Sequence, residues 1–250
     1  MGELTDLSSY GLPDVDVYRS APEEGEQIRG GLVLIHEIWG LVDHIKDVAD
    51  RLAAEGYLVY APDLLSSAGI TPEVGEELAQ LLREPDEETR TANQAVMRQK
   101  TAPVQSPEFA AETVARLKHV VDALADEPAI GDRIGVLGFC FGGTYSFALA
   151  AADPRVRVAV PFYGRAPEPE AMGSIGCPVL GIYGQHDPAL IEALPSVKED
   201  MAAAGVDFET VVYPEARHAF FNDTNPVAYR PDDAADAWEH TLDFVDRHLA

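Results

Sequence analysis

The sequence has few cysteines and no long apolar run. Its 250 residues include two cysteines, Cys140 and Cys177, so we expect no disulfide framework, because folds that depend on disulfides are usually small and rich in cysteine. No run of about 18 apolar residues occurs, which argues against a membrane-spanning helix. The N-terminal segment lacks a basic stretch followed by an apolar one, so we expect no secretory signal and predict a cytoplasmic protein.

Basic residues are also scarce. The chain carries 43 acidic residues against 18 basic ones, a formal net charge of −25, and only four of the basic residues are lysine. Such a charge repels nucleic acid phosphates and anionic lipids, so we expect neither nucleic acid nor a membrane as a partner. The acidic residues are spread along the chain, which indicates the solvated surface of a folded protein. We predict adaptation to high salt, which screens the repulsion; an acidic protein from an ordinary cell is the alternative.

Strand-like and helix-like segments alternate along the chain. Segments rich in branched aliphatic residues, several of them continuously apolar, predict strands at residues 30–37, 57–64, 133–140, 155–164, 177–187 and 206–214. Amphipathic segments predict helices at residues 42–57, 106–128 and 231–249. This alternation predicts the α/β class, with a mostly parallel central sheet and helices on both faces.

Two further segments depart from this alternation. Residues 15–22 predict an antiparallel edge strand. Residues 65–105 are acidic and irregular and are interrupted by Pro85, so we predict a helical excursion near the active site. No repeat or linker divides the sequence, and we therefore expect residues 1–250 to form a single domain.

The stretch "GFCFGG" places Cys140 between Gly138 and Gly142, after a predicted strand and before a helix of small residues. This spacing is typical of the nucleophile elbow of α/β-hydrolases, with cysteine where serine is commoner. The sharp turn strains the backbone, and glycine at the flanking positions avoids collisions with neighbouring backbone. The alternative is a buried structural cysteine beside a glycine-rich turn.

An acid and a histidine follow the cysteine in the chain order that this arrangement needs. Asp187 in "GQHDP" and His218 in "ARHAF" each lie near the end of a predicted strand, where catalytic groups of such sheets gather. Taken singly, Asp187 could be a helix N-cap before Pro188, and His218 could be an ordinary loop histidine. Because three suitable residues occur in order at three strand ends, the sequence favours a triad.

The remaining histidines do not form a cluster with metal-ligand spacing. His186 is interpreted as a loop residue, and His119, His240 and His248 lie on predicted helices. We therefore expect no metal site, and no cofactor.

The stretch "HEIWGL" follows the first strongly apolar strand. In the α/β-hydrolase arrangement this loop supplies one oxyanion-binding N–H group and the residue after the nucleophile supplies the other. The predicted donors are the backbone N–H groups of Ile38 and Phe141. Glu37 is an unusual choice beside Ile38 and Trp39 unless it contacts a polar group; the alternative is a carboxylate of a surface loop.

Taken together, "HEIWGL", "GFCFGG", "GQHDP" and "ARHAF" resemble the dienelactone hydrolases and their carboxymethylenebutenolidase relatives, over roughly residues 14–249. The resemblance implies the α/β-hydrolase fold and a Cys140–His218–Asp187 triad that hydrolyses lactone or ester bonds through a thioester. It also implies that Glu37 holds the thiol and takes part in its activation when a small-molecule substrate binds. We expect a monomer or a small homo-oligomer.

The sequence departs from the family around the substrate. Relatives that bind the carboxylate of the dienelactone carry a basic residue shortly after the histidine, with a serine beside it, whereas here "HAFFND" has Ala219 and Asn222. The candidate pocket residues are Trp39, Tyr145, Phe221, Arg217 and Arg90, with Arg98 as another possible cation and core packing as the alternative for the aromatic ones. A broader carboxylesterase or thioesterase is the second interpretation, and a non-catalytic ligand-binding or redox-sensing module is the third.

Overall fold

The strands of the protein form one mixed sheet. The structure, a computed structural model, describes residues 2–83 and 86–249, without the side chains of residues 12–14, 82 and 90; Pro85, the predicted interruption, lies outside the described residues. The strands are β1 (Glu3–Leu7), β2 (Leu12–Ser20), β3 (Gly30–Ile35), β4 (Tyr57–Pro62), β5 (Ile134–Phe139), β6 (Val156–Phe162), β7 (Val179–Gly184) and β8 (Phe208–Tyr213). They lie in the order β1-β2-β4-β3-β5-β6-β7-β8.

The helices alternate with the parallel strands. They are α1 (Asp43–Ala54), α2 (Pro72–Leu82), α3 (Glu87–Thr101), α4 (Pro107–Ala125), α5 (Phe141–Ala152), α6 (Pro169–Met172), α7 (Pro188–Ala203) and α8 (Pro231–Leu249), with short 3-10 turns at Ser8–Tyr10, Ser66–Ala68 and Ala102–Gln105. Local sequence signals explain where several of these helices begin or end. Ser106 caps α4 by accepting a hydrogen bond from the N–H of Phe109 at 3.1 Å, and Gly56, at φ 97°, turns the chain after α1.

The edge of the sheet differs from the prediction. Strand β2 is antiparallel to β4, as expected, but β1 covers its other side, also antiparallel. The prediction that residues 15–22 form the edge is therefore wrong. The true edge strand, β1, is short, and most of its side chains are not buried, so it carries little of the hydrophobic alternation by which a strand is recognised.

Both faces of the sheet are covered, as predicted. In β3, Leu32 and Leu34 belong to the apolar core that includes α1 and α8, whereas Val33 and Ile35 belong to the core that includes α4 and α5. Successive side chains of a strand point to opposite faces, so a strand buried on both faces is apolar at every position. This explains the uninterrupted apolar sequence of β3.

Helices α2 and α3 form the predicted helical segment between β4 and α4. Their apolar side chains build a small separate core with Ile38, Trp39 and Phe141. Helix α2 lies so close to the loop after β3 that a Cβ atom on Gly75 would be 1.7 Å from the carbonyl oxygen of Trp39. The segment therefore packs directly on the loop that contains Ile38 and Trp39. That the whole chain forms one domain stays a prediction.

The acidic side chains lie almost entirely at the surface. Of those that the structure describes, only Glu37, Asp63 and Asp153 are buried, which agrees with the solvated acidic surface inferred from composition. None of the helices within the described residues is long and apolar enough to cross a membrane.

Salt is expected to raise the melting temperature of this protein. A net charge of −25 on a chain of 250 residues repels itself most strongly in the compact state. Screening shortens the range of this repulsion from about 30 Å at 0.01 M to about 3 Å at 1 M salt. Thermal unfolding followed by circular dichroism at pH 7, from 0.01 to 1 M NaCl, measures the effect.

The matched control is the same salt series near the isoelectric point of about 4.4, where little net repulsion remains to be screened. There the melting temperature should change much less. A flat salt dependence at pH 7 would rule out the salt-adaptation hypothesis.

Candidate active site

Cys140 lies in a strained turn between β5 and α5. Its backbone has φ 56° and ψ −108°, a conformation that a non-glycine residue adopts only when the surrounding structure enforces it. Its N–H donates to the carbonyl of Phe162 at 3.0 Å, and its carbonyl accepts from the N–H of Thr144 at 3.1 Å. The turn leaves the thiol partly exposed at the carboxyl end of β5.

The glycines on either side of Cys140 are required by close backbone packing, as the sequence predicted. A Cβ atom on Gly138 would lie 2.3 Å from the carbonyl oxygen of Gly142, and one on Gly142 would lie 2.1 Å from the carbonyl oxygen of Ile35. Neither oxygen belongs to a side chain that could move aside. Glycine therefore lets α5 begin directly against β3.

Asp187 and His218 meet at the carboxyl ends of β7 and β8. Asp187 is the residue before α7, but its carboxylate is turned toward the histidine: Nδ1 of His218 lies 2.5 Å from Oδ2 of Asp187. This bond leaves Nε2 of the imidazole as the nitrogen available to a reacting group. The structure thus joins two residues that are 31 positions apart in the chain.

The side chain of His218 also interacts electrostatically with Cys140, which raises the pKa of the imidazole. Burial alone would lower the pKa of His218, but the electrostatic interaction with Cys140 and the contact with Asp187 outweigh it and hold that pKa well above its usual value. The imidazole is still 43% exposed. His218 thus bonds to Asp187, interacts with Cys140 and remains partly open to solvent.

Glu37 is a buried carboxylate, not a surface one. It is 1% exposed, and its two oxygens accept hydrogen bonds from Nδ2 of Asn222, at 2.5 Å, and from the hydroxyl of Tyr163, at 3.4 Å. Sequence reasoning considered Asn222 only as the replacement for a basic residue and missed Tyr163. The position of Tyr163 directly after β6, at the edge where the other site residues lie, is the signal that could have identified it.

Tyr163 connects the carboxylate to the rest of the site. Its backbone has φ 37°, and its ring lies 4.9 Å from the ring of His218. Burial raises the pKa of Tyr163 well above its usual value, and electrostatic interactions with Glu37 and Cys140 raise it further. The phenol therefore stays protonated and donates to Glu37.

His36 secures the loop that follows β3. Its Nε2 accepts a hydrogen bond from the N–H of Leu64 at 3.1 Å, so Nδ1 carries the proton and donates to the carbonyl of Glu37 at 2.7 Å. Complete burial lowers the pKa of His36 and keeps this pattern in the neutral form. The imidazole therefore ties the loop after β3 to the segment that follows β4.

The two predicted oxyanion donors lie on neighbouring segments: Ile38 on the loop after β3 and Phe141 at the start of α5. The N–H of Gly142 donates to the carbonyl of His36 at 3.1 Å, which ties the loop containing Ile38 to the start of α5. Phe141 is the first residue of α5, so its N–H has no acceptor within the helix. Both residues are partly buried.

Two of the predicted pocket residues belong to packed interior. Phe221 is 2% exposed and lies with its ring 5.1 Å from that of Phe139 and 6.2 Å from that of Trp238. Tyr145 is buried with its ring 4.5 Å from that of Phe141. Both rings are enclosed by other aromatic side chains, as in core packing, and their place in the pocket stays a prediction.

The other predicted pocket residues are placed differently. Trp39 is partly buried beside α2, and Arg217 is exposed next to His218. The side chain of Arg90 lies outside the described residues. His119, His240 and His248 lie on helices, and no group of three or more metal-ligating side chains occurs in the part of the chain that the structure describes.

A model of the dienelactone hydrolase family matches residues 15–249, almost the entire chain. The chain belongs to the dienelactone hydrolase family. The resemblance inferred from the four motifs is confirmed, and so is the α/β-hydrolase fold. As a member of this family, the protein is a hydrolase that acts on ester bonds.

Relatives of the dienelactone hydrolase family resemble the chain over most of its length. A protein of Saccharolobus solfataricus, named "Putative carboxymethylenebutenolidase", is 34% identical over 240 residues and covers 86% of this chain and 88% of its own. One of Methylorubrum extorquens with the same name is 33% identical over 241 residues, 92% of this chain and 76% of its own. The crystal structure of a Klebsiella pneumoniae protein, described as a "Putative Dienelactone Hydrolase", has a TM-score of 0.78 at 27% identity and covers 98% of both chains.

Proposed function

We propose that this family member cleaves its ester bond with Cys140 as the nucleophile, His218 as the general base and acid, and Asp187 as the group that orients His218. The observation that carries this proposal is the hydrogen bond between His218 and Asp187, together with the electrostatic interaction of His218 with Cys140 in its strained turn. A nucleophile paired with a base, which is itself oriented by a third group, is the arrangement that acyl transfer needs.

In the first half of the reaction, His218 takes the proton of the thiol and the thiolate attacks the carbonyl carbon. The N–H groups of Ile38 and Phe141 hold the oxyanion that forms, and each such donor contributes a factor of about 10²–10³ to the rate. When the tetrahedral intermediate collapses, the C–O bond of the ester breaks. His218 returns the proton to the leaving oxygen, and a thioester remains on Cys140.

In the second half, His218 takes a proton from water, and the resulting hydroxide attacks the thioester carbonyl. Collapse of this intermediate breaks the C–S bond, releases the carboxylic acid and returns the proton to the sulfur. Asp187 keeps the imidazole in the tautomer and orientation that both halves require.

Glu37 completes the proposed site as the carboxylate that takes part in activating the thiol when substrate binds. Its burial beside Tyr163, whose hydroxyl is influenced by both Glu37 and Cys140, supports a place in the reacting network. In the present arrangement its hydrogen bonds go to Tyr163 and Asn222, while Cys140 interacts electrostatically with His218.

The nucleophile favours substrates with a good leaving group. A thiol has an ordinary pKa near 8.5, so the thiolate is expelled from the tetrahedral intermediate more easily than a simple alkoxide. Enolates and phenolates compete better, which favours enol lactones and activated esters. A broader carboxylesterase or thioesterase is the second candidate, because the neutral Asn222 stands where lactone-binding relatives carry a basic residue.

Replacing Cys140 by Ala is expected to lower kcat/KM for p-nitrophenyl esters, lactones and thioesters by about 10³-fold or more, since only the oxyanion donors and substrate binding remain. Initial rates over this panel measure the loss and rank the substrate classes. Mass spectrometry of the quenched reaction should find the acyl group on the peptide that contains Cys140.

Cys177 provides the matched control. It is buried, and burial raises the pKa of its thiol to about 12, so the Cys177→Ala variant should keep its activity. Full activity in Cys140→Ala, or an acyl group on another residue, would show that the nucleophile is wrongly assigned.

A further inference from the structure

The hydrogen bonds of Asn222 lead away from Glu37 to a distant arginine. Oδ1 of Asn222 accepts from the hydroxyl of Thr224 at 2.7 Å and from its backbone N–H at 3.0 Å. The hydroxyl of Thr224 in turn accepts from Nη2 of Arg83 at 2.9 Å. Four side chains therefore form one chain of hydrogen bonds: Arg83, Thr224, Asn222 and Glu37.

In every hydrogen bond of this series, the donor is on the Arg83 side and the acceptor is on the Glu37 side. The guanidinium of Arg83 donates to Thr224, Thr224 donates to Asn222, and the amide of Asn222 donates to Glu37. The chain begins at a cation and ends at a buried carboxylate, so each group polarises the next in the sense that stabilises the negative charge. The two bonds at Oδ1 also fix the orientation of the Asn222 amide, because a flipped amide would turn its oxygen toward the carboxylate.

The arrangement leaves neutral groups in direct contact with Glu37. A guanidinium in contact would bind the carboxylate by two charge-assisted bonds and hold it firmly. Here Asn222 and Tyr163 make one bond each, and the positive charge stays at the end of α2, where Arg83 also pairs with Glu76 at 3.0 Å. Glu37 is thus oriented and stabilised by bonds that are weaker than a direct ion pair.

We propose that Asn222 is a positioning residue for Glu37, and that Arg83 acts on the same carboxylate through Thr224. The relay formed by Arg83, Thr224 and Asn222 holds the buried carboxylate in the orientation from which it assists the thiol. This inference rests on the proposed function, because the relay affects the reaction only through the role that is proposed there for Glu37. It also assigns the helical segment of α2 a part in arranging the active site.

The test uses Thr224, which touches neither the thiol nor the predicted oxyanion donors. Thr224→Val keeps the shape of the side chain but removes the hydroxyl, and it is expected to lower kcat about tenfold, the size of one hydrogen bond to a charged network, with KM within twofold. Thr224→Ser restores the hydroxyl and should recover most of that loss. Equal losses in both variants would overturn the relay.

Arg83 has a close counterpart for a second comparison. Both Arg83 and Arg116 donate to a glutamate and to a hydroxyl group, and their side chains are 20% and 18% exposed. Arg116 is bonded to Glu112 and Ser67, outside the relay. Arg83→Gln should lower kcat about fivefold, whereas Arg116→Gln should stay within twofold of the wild type; equal behaviour of the two variants would contradict the proposal.

A double-mutant cycle shows whether the relay acts through Glu37. If it does, Thr224→Val should have little further effect in a Glu37→Gln background, because the charged end of the relay is gone. An undiminished tenfold effect there would overturn the proposal. The rate at which iodoacetamide alkylates Cys140 compares the effect of Thr224→Val in the wild-type and Glu37→Gln backgrounds without substrate turnover. Melting temperatures confirm that each variant is folded.

The outcomes separate this inference from the proposed function. If Cys140→Ala is inactive but Thr224→Val equals the wild type, the triad stands and the relay fails. If Cys140→Ala is active, the nucleophile is wrongly assigned, whatever the Thr224 variants do.

Discussion

Replacing Asp187 by Asn is expected to lower kcat/KM by about 10³–10⁴-fold without unfolding the protein. The carboxylate accepts the proton of Nδ1 at 2.5 Å, which leaves Nε2 to exchange a proton with the thiol and with water. An amide can turn its NH₂ group toward Nδ1 and stabilise the wrong tautomer, and it carries no charge to balance the imidazolium. Steady-state kinetics on an activated ester measure the loss.

The pH dependence of this variant supplies an independent readout. The groups that face His218 are Cys140, Asp187 and the ring of Tyr163. Because the pKa of His218 is held well above its usual value, the imidazole stays protonated to higher pH, and the protonated form is lost as the pH rises through that pKa. Asp187→Asn removes one of the causes, so the alkaline limb of the pH–rate profile should move to lower pH.

A second histidine–aspartate pair provides the control. His119 and Asp122 lie on α4 with Nδ1 and Oδ2 3.3 Å apart, away from Cys140. Asp122→Asn should keep kcat/KM within about twofold and leave the alkaline limb in place. A loss of less than tenfold in Asp187→Asn, with an unmoved profile, would show that Asp187 does not orient the base.

Replacing Gly142 by Ala is expected to lower both stability and activity. The new methyl carbon would lie 2.1 Å from the carbonyl oxygen of Ile35, so β3 and α5 must separate. Overpacking of this kind costs about 1–3 kcal/mol, occasionally more, and each kcal/mol lowers Tm by about 2–4 °C in a protein of this size. Movement of α5 would also displace the N–H of Phe141, so kcat should fall about 10²-fold or more.

Gly173→Ala is the matched control, because no atom lies within 4 Å of the position its Cβ would take. Its backbone, with φ −62°, also accepts alanine without strain. Scanning calorimetry and initial rates compare the two variants. Equal melting temperatures and rates would mean that Gly142 is not required by the packing of α5 on β3.

Local sequence determined most of the secondary structure of this protein. Strand β3 could be identified because it is apolar at every position, and α4 because Ser106 and Pro107 mark its start. Strand β1 could not be identified, since its mostly exposed side chains give no pattern and its place depends on pairing with β2.

The sequence by itself also determined the candidate residues Cys140, Asp187 and His218, because strand ends of a parallel sheet meet at one edge. It could not show that Glu37 is held by Asn222, 185 positions away, or that Arg83 reaches Thr224, 141 positions away. It could not decide between pocket and core for Phe221, since an aromatic residue beside a catalytic motif can face either. Only the tertiary structure decides such contacts, because they depend on how loops from different strands pack together, and no local pattern of residues records that packing.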